Sequence, residues 1–211
     1  MFHHGPIAAV AAHGAYIATA GYDNQVILWN AATHTALARS LHDHLVNHCA
    51  FNSDGTLLAS ASSDYSARIW DVPSMRLKAA LIGHTDDVDM AVFSPDDQWI
   101  ATCALDRAIR VFDLAGKCHH IFTGHTGNII SVAWMDDGKR LVSCGVDGTV
   151  REWDIATEKE IHCYTIAVRT DTLVIDTDGA IFAGDDEGRI VVIAGGEVSY
   201  VPAHKAGIKK I

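Results

Sequence analysis

The chain repeats itself in three ungapped stretches, HDHLVNHCAFNSDGTLLASASSDYSARIWD (residues 42–71), HTDDVDMAVFSPDDQWIATCALDRAIRVFD (84–113) and HTGNIISVAWMDDGKRLVSCGVDGTVREWD (125–154). They begin at His42, His84 and His125, so the period is about 40 residues. A fixed period of this size indicates stacked structural units, each of which needs its neighbours to bury its hydrophobic face. The repeat therefore decides the fold.

Each repeat contains three short apolar segments separated by polar turns, and a fourth apolar segment precedes the next His. This pattern predicts four short strands per repeat. The segments LLASAS (57–62), WIATCA (99–104) and RLVSCG (140–145) are almost continuously apolar, so both faces of each small sheet should be covered. Radial stacking of four-stranded sheets around a central channel meets this requirement.

Short dipeptides mark the borders of the repeats. They are Gly83-His84, Gly124-His125, Trp70-Asp71 and Trp153-Asp154. Together with the period, these residues resemble the WD-repeat β-propeller family over nearly the whole chain. The resemblance implies an all-β fold, a β-propeller built from four-stranded antiparallel blades.

The repeats predict about five blades plus the first strand of a sixth, in a single domain over residues 1–211. The expected blades are 3–41, 42–82, 83–123, 124–165 and 166–203, followed by the start of another at 204–211. The fifth departs from the pattern, with Ala183, Glu187 and Ile193 at marked positions. The resembled family commonly closes with seven blades. We therefore expect further repeats or another chain to complete the ring, or an unusual join to close a smaller one.

Each repeat His is followed by a hydroxyl residue, then an Asp, then an aromatic residue, at the same spacings in the three ungapped repeats and with one turn two residues shorter in the first repeat. The sets are His42, Ser60, Asp64 and Trp70; His84, Thr102, Asp106 and Phe112; His125, Ser143, Asp147 and Trp153; and, in the weaker first repeat, His3, Thr19, Asp23 and Trp29. Ser, His and Asp are also the residue types of a hydrolase triad, but a catalytic site normally occurs once. Repetition, and the absence of a Gly-x-Ser-x-Gly sequence around these serines, favour a structural role.

The resemblance implies that each set forms a hydrogen-bonded tetrad: Asp accepts from His, His meets the hydroxyl, and the hydroxyl meets the indole N–H. A connected network satisfies polar groups that would each cost about 1 to 3 kcal/mol if buried without a partner. Phe112 has no N–H. We therefore expect the network of the third blade to be one bond short, and Thr102 to need another acceptor or water.

Other patterns that could carry chemistry are weak. His42, His44 and His48 lack a Cys or carboxylate that would complete a zinc set, and His119-His120 is weaker still. The acidic turns at 176–179 and 185–188 do not continue into a calcium-binding loop. The sequence contains neither Gly-x-x-x-x-Gly-Lys-Ser/Thr nor Gly-x-Gly-x-x-Gly, the two glycine-rich motifs that bind phosphate groups. We therefore predict no catalytic, cofactor-binding or metal-binding residues, and no cofactor.

Composition limits the partners. The chain has 16 Lys and Arg against 26 Asp and Glu, a net charge of -10, which would repel phosphate backbones. The basic cluster of Lys205, Lys209 and Lys210 is short, so we expect no nucleic-acid partner.

Five cysteines without a paired framework favour a reducing compartment and a cytoplasmic protein. The apolar stretch 7–12 is too short to span a membrane, and no membrane association is expected.

By the resemblance, partner contacts fall on the third and fifth residues after the repeat His and on the residue before the turn Asp. These positions are Leu45, Asn47, Ser63, Asp87, Asp89, Leu105, Asn128, Ile130 and Val146, with Tyr22 added from the first repeat. Asp87 and Asp89 suggest a basic segment on the partner. Leu105, Ile130 and Val146 would mark a recognition site if they are exposed together; local burial is the alternative.

These features predict a non-enzymatic scaffold or adaptor that binds a protein or peptide on the propeller face. The alternative is a sensory or regulatory propeller domain of a larger multidomain enzyme or signalling protein whose catalytic part is absent from this chain. A weaker third hypothesis is an enzyme acting in the central channel, for which the 13 histidines are the only hint.

Overall fold

The computed structural model describes residues 1–208, and every regular element in that range is a β-strand. The strands form five sheets of four antiparallel strands each, taken in chain order, which confirms the predicted all-β fold. Residues 204–208 belong to no strand, and residues 209–211, including Lys209 and Lys210, lie outside the described residues. The start of a sixth repeat therefore stays a prediction. Residues 1–208 contain no helix with the length and apolarity to cross a membrane.

We number the sheets as blades 1 to 5. Blade 1 contains β1 (Ile7–His13), β2 (Tyr16–Gly21), β3 (Gln25–Asn30) and β4 (Ala36–Leu41). Blade 2 contains β5 (Val46–Phe51), β6 (Leu57–Ser62), β7 (Ser66–Asp71) and β8 (Arg76–Ile82). Blade 3 contains β9 (Val88–Phe93), β10 (Trp99–Ala104), β11 (Ala108–Asp113) and β12 (Cys118–Thr123).

Blade 4 contains β13 (Ile129–Trp134), β14 (Arg140–Gly145), β15 (Thr149–Asp154) and β16 (Lys159–Thr165). Blade 5 contains β17 (Thr170–Ile175), β18 (Ile181–Asp185), β19 (Arg189–Ala194) and β20 (Glu197–Pro202). In blades 2, 3 and 4 the second strand is the most buried strand of its blade, and every residue of β6 is buried. Both faces of the blades are therefore covered where neighbours exist, as the continuous apolar segments predict.

Neighbouring blades share apolar cores. Trp70 of blade 2 lies in the same buried cluster as Leu28 of blade 1. Trp153 of blade 4 likewise packs into the cluster that contains Val111 of blade 3. In residues 1–208 no buried apolar cluster joins blade 5 to blade 1. Each of these two blades therefore keeps one outward face, which we call the end faces.

The end face of blade 1 carries an apolar groove. On blade 1, a groove of about 180 Å³ is lined by Ile17, Thr19, Trp29, Asn30 and His34. The Trp29 side of blade 1 thus lies open, whereas the equivalent Trp70 side of blade 2 is covered by blade 1.

The predicted tetrad forms in blades 1, 2 and 4. In blade 4, His125 Nδ1 lies 2.8 Å from Asp147 Oδ2, and His125 Nε2 lies 2.7 Å from Ser143 Oγ. Trp153 Nε1 donates to the same hydroxyl at 2.8 Å. The matching distances in blades 1 and 2 are 2.7 to 2.8 Å. These polar side chains are therefore fastened inside their own blades.

The charges in the tetrad follow from its burial. Burial lowers the pKa of His125, in opposition to the raising effect of the Asp147 carboxylate. Although burial alone would raise the pKa of Asp147, hydrogen bonds from Thr149 and the interaction with His125 lower it overall. A neutral His125 imidazole can donate a hydrogen bond from Nδ1 to the Asp147 carboxylate and accept one at Nε2 from the Ser143 hydroxyl. Each polar side chain of the tetrad then has a hydrogen-bond partner.

Blade 3 confirms the shorter network but corrects its expected consequence. His84 Nε2 lies 2.8 Å from Thr102 Oγ1, and Phe112 supplies no N–H. Thr102 Oγ1 also lies 3.4 Å from the Arg110 carbonyl, yet blade 1 has the same 3.4 Å contact from Thr19 to the Ile27 carbonyl despite its Trp29 bond. The contact is therefore no replacement. Because indole N–H is a donor, Thr102 lacks a donor and not an acceptor.

Blade 5 replaces the tetrad with a different fastening. Its marked positions hold Ala183, Glu187 and Ile193, as the sequence shows. Asp185, fully buried, accepts from Arg189 Nε at 2.7 Å and from the Arg189 and Glu187 backbone N–H groups at 2.9 and 3.0 Å. One buried carboxylate thus closes the turn that the tetrad Asp closes elsewhere.

Replacing Asp147 with Ala should lower the free energy of unfolding by about 1 to 3 kcal/mol, because His125 Nδ1 and the Thr126 N–H lose their acceptor. Urea denaturation of both proteins would measure the change. The matched control is Asp136→Ala, an exposed Asp in the turn at the other end of blade 4, which should change stability by less than about 0.5 kcal/mol. Equal stability losses in the two variants would contradict a structural tetrad.

Candidate functional site

The first strands of the five blades surround a central cavity of about 580 Å³. Its lining includes Tyr22, Asn47, Asp89 and Ile130, four of the ten positions proposed for partner contacts. These four come from blades 1, 2, 3 and 4 respectively, so the fold gathers residues that are far apart in sequence. We call this region the channel mouth.

The other six proposed positions do not line the cavity. They are Leu45, Ser63, Asp87, Leu105, Asn128 and Val146. Val146 is 40% exposed, whereas Leu105 and Ile130 are partly buried. Since Ile130 alone of these three faces the cavity, the anticipated apolar residues occupy different surroundings. That the ten residues contact a partner stays a prediction.

Asn47 has a structural role in addition to its position at the channel mouth. Its Nδ2 donates to Ser63 Oγ at 3.1 Å and to the Val88 carbonyl of blade 3 at 3.0 Å. Ser63 is buried, and its backbone N–H donates to the Leu45 carbonyl at 2.9 Å. Asn47 thus ties blade 2 to blade 3, and a partner would meet its side chain already fixed in orientation.

The electrostatics of the channel mouth centre on Asp89. Burial, followed by the nearby Asp87 carboxylate, raises the pKa of Asp89 to about 7, although the Arg169 guanidinium works in the opposite direction. Asp171 also contributes to the raised pKa. A carboxylate crowded by other carboxylates gains from an approaching cation, so this position favours Lys or Arg side chains.

Arg169 and Asp171 line the same cavity and were not predicted from the sequence. Arg169 Nε donates to Asp171 Oδ1 at 2.5 Å, and Asp171 is mostly buried. The positional rule counts from the repeat His, which blade 5 does not have, so it could not reach them. The cavity therefore presents carboxylates from blades 3 and 5 beside one guanidinium, and such groups form ion pairs and charge-assisted hydrogen bonds.

The weaker metal patterns separate in the structure. His42 belongs to the blade 2 tetrad, His48 lines the cavity, and His44 is exposed. His119 and His120 form hydrogen bonds of 2.8 Å with Asp113 and Glu158. Across residues 1–208, no three His, Cys, Asp or Glu side chains come close enough together to hold a metal ion.

The comparisons with known proteins agree with the repeat. The WD domain, G-beta repeat model matches residues 1–30, 36–71, 75–113 and 116–154. THO complex subunit 3 of Arabidopsis thaliana is 42% identical over 83 residues, which are 36% of this chain and 26% of that protein. The WD repeat-containing protein 26 homolog of the same plant is 35% identical over 92 residues, covering 42% of this chain and 16% of the relative.

A third relative, Protein HIRA of Dictyostelium discoideum, is 30% identical over 125 residues, which are 47% of this chain and 11% of that protein. The matches thus span about a quarter or less of the length of these relatives. The family model ends at residue 154, and the blade beyond it is the one that lacks the tetrad.

Asp89→Asn should stabilise the fold more at about pH 8 than at about pH 5. The wild-type carboxyl has a pKa of about 7 when folded against an ordinary value of 3.8, so the folded state loses stability as the pH rises between these values. Asn removes this dependence. Melting temperatures of both proteins at the two pH values give the difference, and the contributions of other titrating groups cancel. In the control Asp136→Asn, the stability difference from the wild type should not grow with pH. If the difference for Asp89→Asn also failed to grow with pH, the raised pKa of Asp89 would be contradicted.

Proposed function

We propose that the chain, which belongs to the WD domain, G-beta repeat family, is a non-enzymatic scaffold or adaptor that binds a protein or peptide on the propeller face around the channel mouth. Domains of this family generally bind other proteins. One relative, THO complex subunit 3, is by its name a subunit of a larger complex. A role in assembly is therefore the function that the family favours for this chain.

One observation carries the proposal. The side chains that most resemble a catalytic set recur in three blades, and in each they are hydrogen-bonded to one another and largely buried. The Ser60 and Ser143 hydroxyls are fully buried and each lies between an imidazole and an indole. The tetrad residues therefore stabilise the blades, and recognition falls to the loops and the channel mouth.

The proposed partner carries a basic segment. Asp89 and Asp171 line the cavity with Arg169, and Asp87 lies close enough to Asp89 to raise its pKa. The chain as a whole has a net charge of -10, which attracts basic partners and disfavours nucleic acid. A Lys or Arg side chain entering the channel mouth would relieve the repulsion among these carboxylates.

A second candidate function is that of a sensory or regulatory domain within a larger protein. Two observations favour it: the matched regions cover 26% or less of the relatives' lengths, and both end faces are open. In this proposal further repeats or another chain cover the end faces, because the Trp29 side of blade 1 repeats the Trp70 side that blade 1 itself covers.

We propose that the protein is cytoplasmic and does not associate with a membrane. All five cysteines are free thiols, and Cys49, Cys103 and Cys144 are buried as small core residues. Burial raises the pKa of the Cys103 thiol well above its ordinary value, which keeps it protonated and unreactive. Free buried thiols fit a reducing compartment.

The partners can be identified by affinity purification from native extract with quantitative mass spectrometry. Asp87→Lys and Leu105→Glu, introduced singly, should each reduce the recovery of the specific partners by about tenfold. The first variant reverses a charge on the propeller face, and the second places a charge where an apolar side chain would contact the partner. Asp136→Lys is the charge-matched control, since its turn lies at the opposite end of blade 4 and should leave recovery unchanged.

Unchanged recovery in both test variants, with melting temperatures that show them to be folded, would place the binding surface elsewhere. Recovery lost equally in the control would show that net charge, and not this face, controls the capture. Turnover of a bound small molecule by the purified chain would contradict the non-enzymatic proposal.

A further inference from the structure

One turn position needs a left-handed backbone in every blade. It follows the turn Asp or its equivalent, and its φ values are 68° at Asn24, 66° at Tyr65, 67° at Arg107, 67° at Gly148 and 79° at Gly188. Glycine and asparagine tolerate this conformation, whereas a bulky side chain is strained in it. Blades 2 and 3 therefore place Tyr65 and Arg107 where the fold itself favours a smaller residue.

No polar or ring contact within residues 1–208 accounts for these two side chains. Tyr65 is 48% exposed and Arg107 is also exposed. Over residues 1–208, neither side chain makes a hydrogen bond, ion pair or ring contact. By contrast, the arginines on the third strands of the same blades, Arg68 and Arg110, pair with Asp64 and Asp106 at 3.1 and 2.9 Å.

The two strained residues flank the same connecting segment, residues 82–85. Ser66, next to Tyr65, pairs in the sheet with Ile82. At the other end of the segment, Thr85 N–H donates to Asp106 at 3.1 Å, and Asp106 precedes Arg107. The segment thus joins the turn of blade 2 to the turn of blade 3.

Ile82 adds apolar surface at this place. It is 65% exposed, and Leu41, at the same register position in blade 1, is 54% exposed. Blades 3 and 4 have Thr123 and Thr165 at that position. An exposed aliphatic residue is therefore not a requirement of the blade. In blade 2 it lies on the strand that pairs beside the strained turn at Tyr65.

We infer that Tyr65, Ile82 and Arg107 form a second interaction surface, which binds a peptide segment with an aliphatic side chain beside a carboxylate. Tyr65 and Ile82 supply the apolar contact, and the Arg107 guanidinium, which has no ion pair in residues 1–208, supplies a two-pronged donor for the carboxylate. Backbone strain is retained where binding requires the side chain. The surface differs in chemistry from the channel mouth and extends beyond the function proposed there.

The first test separates strain from folding. Tyr65→Gly and Arg107→Gly fit the left-handed turn, so each should raise the melting temperature by about 2 °C or more. Asn24→Gly is the matched control at the equivalent turn of blade 1, and it should change the melting temperature less, because Asn already tolerates this backbone. A lower melting temperature for either test variant would show that the side chain serves the fold, and this would overturn the inference.

The second test measures binding on the intact chain. The probes are two display libraries of peptides of about twelve residues, rich in Leu and Ile, one with Asp and Glu as its only charged residues and the other with Lys and Arg. We expect binders from the acidic library whose affinity falls about tenfold or more with Tyr65→Gly and with Arg107→Gly, and is unchanged with Asn24→Gly. Acidic binders insensitive to both variants, or no acidic binder at all, would overturn the inference. Basic binders lost only with Asp87→Lys would report instead on the propeller face around the channel mouth.

Discussion

The buried chain of hydrogen bonds from Asp through His and a hydroxyl to an indole is the constraint on which the other features depend. Each member would be costly to bury alone, and each is satisfied by the next, as in the 2.8 Å, 2.7 Å and 2.8 Å contacts of blade 4. The network links the connecting segment, the second strand, the tight turn and the third strand of one blade. It therefore fixes where the loops emerge, and through them the shape of the channel mouth.

The sequence was sufficient to predict contacts within a blade. Fixed spacing from His42 or His125 locates the hydroxyl, the Asp and the Trp, because all four share one small sheet. Contacts between blades were not predictable in this way. The bond from Asn47 to the Val88 carbonyl joins residues 41 positions apart, and it depends on how neighbouring sheets are stacked. A single sequence carries no local signal for such a distance.

The channel mouth shows the same division. Asp89 was found by position, but its raised pKa arises from burial and from carboxylates that the stacking of the blades brings together. Arg169 lies in blade 5, which lacks the marker His. Blade 3 shows that the direction of a hydrogen bond matters as well as its position. The sequence indicates that Phe112 cannot donate a hydrogen bond, and because that missing bond would be accepted by Thr102, the Thr102 hydroxyl lacks a donor. Position and polarity must both be read to predict a network.

The absence of the tetrad from blade 5 has a consequence for the dynamics of the molecule. Blades contact only their neighbours, so the stability of such an array is approximately a sum of the blades and the interfaces between them. Blade 5 is secured by Asp185 and Arg189 and has a neighbour on one side. Local unfolding should therefore start there and spread inward, with the central blades opening last, so that the array frays from one end like a helix terminus.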